Sequence, residues 1–136
     1  MAEPATTHDG VALARLLEAA DCDVLQGTPA TWRLLLDAGW RPWPGFRALC
    51  GGEALPADLA AELRAHGAEL WNLYGPTETT VWSTAGRVGD GPIGIGRPIP
   101  GTTLALTTAT GARVPVGAVG EIRLSGAGVA LGYAAR

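Results

Sequence analysis

Residues 72–82 read NLYGPTETTVW and set a lone carboxylate, Glu78, between two threonines in a Gly-Pro turn with an aromatic on either side. Nucleotide chemistry asks four things of one loop: an aromatic face for a base, small residues that admit a close backbone, a hydroxyl for a phosphate, and a carboxylate for Mg2+. The run Tyr74-Gly75-Pro76-Thr77-Glu78 offers all four. The plain alternative is a Tyr74 packed in the core, with Thr77 and Glu78 capping a short helical turn. A second stretch, Gly51-Gly52-Glu53-Ala54, also follows an apolar run. If the two runs are neighbouring parallel strands, their loops form opposite walls of one slot. The last glycine string, GAGVALG at 126–132, follows no βαβ unit and reads as a tight β-turn rather than a dinucleotide fingerprint.

The elements needed to position these loops are visible in the pattern. Apolar residues Val11, Leu13, Ala14, Leu16 and Leu17 recur at helical spacing behind Asp9, a candidate cap, and predict a helix to about Ala20. Asp23 to Gln26 is a short apolar run ending at Gly27. Thr28 and Pro29 then supply an N-cap and a first-turn proline for a helix carrying Trp32, Leu35 and Leu36, ended by Gly39. A strand is expected at 46–50. Pro56 opens a third helix with Leu59 and Leu63 inward and Gly67 at its end, and Glu69 to Tyr74 reads as another strand. Strand, helix, strand, helix, strand is the βαβ pattern of a parallel sheet, with ligand sites at the carboxyl ends of the strands. Beyond residue 85, glycine and proline punctuate short β-rich runs at 102–107, 113–116 and 121–125, so this half should be antiparallel or mixed. The expected class is α/β: a βαβ portion over 9–84 bearing the candidate pocket residues, then a β-rich portion over 85–136.

Composition narrows the function further. The 136 residues suffice for one domain with a core, and 47% hydrophobic content fits a globular class. A net charge of -3 and no clustered basic face argue against nucleic acid. All ten basic residues are arginine, so no lysine-dependent step can be carried by this chain's own side chains. The start lacks the pattern of a signal peptide, and no apolar run approaches membrane-spanning length, so a cytoplasmic, membrane-free protein is expected. Cys22 and Cys50 are far apart and should be free thiols. His8 and His66 show no zinc spacing and read as surface residues.

Taken in order and with their intervals, NLYGPTETT, GGEALP and GEIRLSGAGVALGY closely resemble the adenylate-forming enzymes, specifically the amino-acid adenylation domains of nonribosomal peptide synthetases. TPATWRLLLDAGW and PIGIGRPIPGT extend the resemblance over nearly the whole chain after residue 9. It implies part of a large N-terminal domain that joins an amino acid to ATP, gives aminoacyl-AMP and pyrophosphate, and then loads the phosphopantetheine thiol of a peptidyl carrier protein. By that likeness Asn72 would bond the adenine amino group and Tyr74 would stack on the base. The Gly52-Glu53-Ala54 backbone would line the other side, with Leu73 and Gly75 completing the AMP contacts. Thr77 would meet the α-phosphate, and Glu78 would bind the Mg2+ that offsets charge as pyrophosphate leaves. The amino-acid pocket would be lined by positions matching Thr31, Leu49, Gly51, Leu73, Val81 and Trp82. Leucine at 73 and tryptophan at 82 take up volume without charge, which points to a small substrate, glycine first, with alanine, serine or cysteine behind.

The departures matter as much. The family's lysine-bearing phosphate loop does not precede the match, and neither the TGD motif nor a domain with the catalytic lysine follows Tyr133. The expectation is therefore an internal fragment, inactive alone. An acyl- or aryl-CoA ligase fragment and a non-catalytic nucleotide-binding or interaction module are the other readings.

Overall fold

The computed structural model describes residues 4–134, with a short helix α1 at Pro4–Thr7. Helix α2 spans Gly10–Ala19, and Asp9 caps it: its carboxylate accepts from the amides of Val11 and Ala12 at 2.9 and 3.0 Å. Strand β1 (Val24–Gly27) leads into α3 (Pro29–Asp37), capped by the Thr28 side chain. The chain leaves α3 through Gly39, whose φ of 86° lies in the left-handed region that glycine tolerates. Strand β2 (Arg47–Gly51), helix α4 (Ala57–Ala65) and strand β3 (Glu69–Tyr74) complete the βαβ series. Strands β1, β2 and β3 are parallel neighbours in that order.

After β3 the direction reverses. A turn with a single 3-10 coil at Thr77–Thr79 carries the chain into β4 (Thr84–Arg87), antiparallel to β3, and β5 (Arg97–Pro98) adds the far edge. Neither β4 nor β5 is foreseen from sequence, because STAGR has one apolar side chain and Arg-Pro none to mark the pattern. The first sheet therefore runs through Pro98, beyond residue 84 where the composition changes. A separate hairpin pairs β6 (Thr102–Thr107) with β7 (Glu121–Gly126). The run at 113–116, expected as a strand, contributes only an isolated bridge from Arg113 to Thr107; Pro115 has no amide proton with which to continue a ladder.

The helices cover one face of the sheet. Trp32, Leu35, Leu36, Leu59 and Leu63 pack on Ala48, Cys50 and Leu70, and Trp40, Trp43 and Phe46 meet edge to face at centroid distances of 4.9–6.2 Å. Because strand side chains alternate, Leu49, Gly51, Trp71 and Leu73 project from the opposite face. Both cysteines are free, and His8 and His66 are exposed. Among the described residues no helix is long and apolar enough to cross a membrane.

Candidate functional site

Strands β2 and β3 end beside one another, with Cys50 in register with Asn72 and Gly51 with Leu73. Adjacent strands lie about 4.8 Å apart, so the segments leaving them form two walls of one cleft. A cavity of about 360 Å3 sits there, lined by Gly52, Glu53, Ala54, Asn72, Leu73, Tyr74, Gly75 and Ile95. The seven residues Gly52, Glu53, Ala54, Asn72, Leu73, Tyr74 and Gly75, all nominated from sequence, line this single hollow, whereas Thr77, nominated for the α-phosphate, lines a different one; Ile95, from the connector, was not foreseen. Asn72 is nearly buried, and its amide nitrogen donates to the carbonyl of Gly94 at 3.0 Å. That bond fixes the side chain and leaves its carbonyl oxygen as the acceptor, suited to an exocyclic amine. Gly75 must be glycine: a Cβ there would stand 2.7 Å from Trp82 Cα and 2.9 Å from Ser83 N, backbone that cannot yield.

The turn between β3 and β4 is strained. Thr80 and Val81 have φ of 57° and 64°, a region β-branched residues rarely enter. The turn is held by the Ser83 amide donating to Tyr74 O at 2.8 Å, by the Thr79 hydroxyl on Pro76 O at 3.1 Å, and by a Thr79–Ser83 hydroxyl pair. Glu78 is exposed on it. A second hollow of about 200 Å3 lies between this turn and the chain after β7, lined by Thr77, Glu78, Ala130, Gly132 and Tyr133. The Tyr133 hydroxyl donates to Glu78 Oε1 at 2.7 Å and holds that carboxyl below its ordinary range, while the carboxylate in turn raises the phenol of Tyr133. Among the described residues no group of three or more histidine, cysteine or acidic side chains converges to cage a metal.

On the other face, Trp82 reaches back from the turn across the ends of β1 and β2. Its indole N–H donates to Gln26 Oε1 at 2.9 Å, and its ring lies against Gly51, where a Cβ would stand 2.5 Å from Cζ3. Leu49 and Leu73, half-buried, flank Gly51 on the same face, whereas Val81 is 60% exposed. Thr31 lies on the first turn of α3, against Gly27 and Thr28. Gln26 was missed from the sequence. The available signal was one polar side chain in the otherwise apolar strand VLQG.

A larger hollow, about 590 Å3, opens at the amino-terminal end of β3 beside Arg64, Glu69 and Arg87. Volume alone would favour it. Its two arginines are already engaged, Arg64 with Asp90 and Arg87 with Glu69, and ligands of open α/β sheets bind at the carboxyl ends of the strands.

A family model described as AMP-binding enzyme matches residues 1–134. The chain belongs to that family. Among its relatives, this AMP-binding chain is 40% identical over 136 residues to a dimodular nonribosomal peptide synthase of Bacillus subtilis, a match that covers 98% of the chain and 6% of that protein. A four-domain nonribosomal peptide synthetase, whose crystal structure holds AMP and glycine, superimposes with a TM-score of 0.88 at 44% identity, over 97% of this chain and 10% of that one. The N-terminal subdomain of Klebsiella oxytoca NpsA, in complex with 3-hydroxyanthranilyl-AMSN, gives 0.79 at 26% identity, over 91% and 32%. The α/β class read from the sequence is thus the class of the family, and its likeness is to the adenylation domains of peptide synthetases. The chain spans a small part of each of these relatives.

Proposed function

We propose that this chain carries the nucleotide- and amino-acid-reading centre of a ligase that joins an amino acid to ATP, gives aminoacyl-AMP and pyrophosphate, and passes the acyl group to a carrier-protein thiol. The observation that carries the reading is the common cleft at the ends of β2 and β3, in which the Gly52–Ala54 backbone faces Asn72, Leu73, Tyr74 and Gly75. Tyr74 offers the base an aromatic face, Asn72 offers its amine an acceptor, and glycines let the sugar and phosphate approach the backbone. Thr77 and Glu78 stand at the next turn of chain, where the α-phosphate and the metal borne by ATP would meet them. When bound, Mg2+ would offset the charge of the departing pyrophosphate. The lysine such a reaction uses has to come from outside this sequence, which contains none.

For the amino acid, the indole of Trp82 occupies the space a side chain at position 51 would fill, and Leu49 and Leu73 flank it on the same face, which supports a small, uncharged substrate side chain. Glycine is the proposed substrate, with alanine, serine and cysteine next. The similar four-domain synthetase that holds AMP and glycine agrees with this choice.

The test is a titration of the chain with AMP and with a nonhydrolysable glycyl-adenylate analogue. Both should bind. Tyr74→Ala should weaken AMP by about 5- to 100-fold, the range of one base stacked on one aromatic ring, and a leucyl analogue should bind far less well than the glycyl one. An AMP affinity that ignores both Tyr74→Ala and Asn72→Ala would sink the reading.

A further inference from the structure

Three hydrogen bonds tie the segment after β7 to the turn after β3, across more than forty residues of sequence. The Thr80 hydroxyl donates to Gly128 O at 2.8 Å, the Ala130 amide donates to Glu78 O at 2.8 Å, and the Tyr133 hydroxyl donates to Glu78 Oε1 at 2.7 Å. Gly128 passes so close that a Cβ there would stand 3.1 Å from Thr79 O. The strap therefore grips Glu78 by both its main chain and its side chain. Tyr133 donates to Oε1, and the carboxylate also accepts from Glu78's own backbone amide, so the group is held from two sides while remaining exposed.

We propose that Tyr133 is a positioning residue: it holds the exposed Glu78 carboxylate in one orientation, so that the cation carried by ATP meets a prepared ligand. This rests on the reading of Glu78 given above. The chemistry of the donor favours it. A metal-binding carboxylate gains affinity when a neighbouring group orients it, and an arginine or lysine in that role would set a positive charge beside a dication. A phenol orients without that repulsion. Burial does not explain the contact, because Tyr133 is 79% exposed and has little packing to gain there. The hollow bounded by Thr77, Glu78, Ala130, Gly132 and Tyr133 leaves space beside the carboxylate for the ion and its waters.

The experiment compares the chain's affinity for ATP with Mg2+ present and with metal-free ATP; the ratio is the gain due to the metal, and metal-free binding also reports that each variant is folded. The unsubstituted chain should show a gain, Glu78→Gln should abolish it, and Tyr133→Phe should cut it about tenfold, the lower end of what such orienting partners supply. A full gain in Tyr133→Phe, with Glu78→Gln still without one, overturns the proposal and leaves the Glu78 reading standing. No gain in the unsubstituted chain, or an undiminished gain in Glu78→Gln, overturns both. Should Tyr133→Phe not fold, the unsubstituted chain decides. It has two tyrosines, and with 13Cζ-tyrosine the Tyr133 resonance, assigned by its persistence in Tyr74→Phe, should move with Mg2+-ATP and not with metal-free ATP. A Tyr133 resonance that ignores the metal overturns the proposal.

Discussion

Replacing Gly51 by alanine tests the wall of the proposed amino-acid pocket through stability. The new Cβ would stand 2.5 Å from Trp82 Cζ3, closer still to Cη2, and 2.8 Å from the carbonyl oxygen of Leu73. The carbonyl belongs to β3 and cannot retreat, so the indole must move and its hydrogen bond to Gln26 is lost. Overpacking of this kind costs about 1–3 kcal/mol, and the bond adds about 1 kcal/mol, so the change should destabilise by about 2–4 kcal/mol and lower Tm by about 10 °C. In a Trp82→Ala background the ring is gone and only the carbonyl contact remains, so the same substitution should cost about 1 kcal/mol. The coupling between the two sites should then be about 1–3 kcal/mol. Thermal melts of the four proteins measure it. Gly89→Ala is the control: no atom lies within 4 Å of its added Cβ and its φ is ordinary, so it should change stability by less than about 0.5 kcal/mol. If Gly51→Ala costs the same with and without the indole, Trp82 does not lie across β2 and the small-substrate argument loses its basis.

Three further outcomes follow from the same geometry. Burial pushes the Cys50 thiol from 9.0 up to about 11, with the Glu53 carboxylate adding to it; the raised value favours the protonated folded form, so the stability it lends is complete below pH 9, fades as pH rises toward 11 and amounts to about 3 kcal/mol. A thiol reagent at pH 8 should accordingly modify Cys50 only after denaturant is added. Asn72→Ala removes the bond to Gly94 O and leaves that carbonyl without its donor; denaturant unfolding should show a loss of about 1–2 kcal/mol, together with weaker AMP binding. ATP–pyrophosphate exchange assayed with this chain alone should stay at background even when AMP binds, because no lysine is present to meet the charge of the transition state.

The parallel half was legible because its signals are redundant. Thr28-Pro29 announces α3, Gly39 and Gly67 close α3 and α4, and Glu69–Tyr74 is the strand predicted residue for residue. Boundaries slipped where no residue marks them: β2 begins at Arg47 rather than Phe46, because Phe46 turns into the aromatic cluster instead of the ladder. The antiparallel additions were hidden, since β4 is TAGR and β5 two residues long, and both exist only because β3 offers an edge. The residues that line the cleft were readable because all but Ile95 lie in two short continuous stretches. Tyr133 was not, since its role depends on a contact 55 residues away from Glu78. Nor was Gln26, whose partner Trp82 lies 56 residues further on.

The reversal after β3 links these observations. A parallel sheet would continue through a helical crossover, which keeps the ends of its strands apart. Here the chain turns back within Gly75–Ser83, and that shortcut brings Thr77, Glu78 and Trp82 to the end of the sheet where Gly51 and Gly52 already stand. The turn is too tight for ordinary backbone, and Thr80 and Val81 occupy conformations that cost about 1–3 kcal/mol each. Relaxed φ values at both positions would swing Trp82 off Gly51 and Glu78 away from Tyr133, because the three hydrogen bonds of the strap fix the far side of the turn. Strain at two exposed β-branched residues, held by a distant strap, is therefore what places an indole on Gly51 and a carboxylate in the hollow beside Tyr133. A turn selected for stability alone would have glycine or asparagine at 81, a position whose side chain makes none of the strap's hydrogen bonds; Val81→Gly should raise stability while loosening both contacts, and a gain in stability with the Trp82–Gln26 and Tyr133–Glu78 bonds intact would show that the strain there has no part in holding the site.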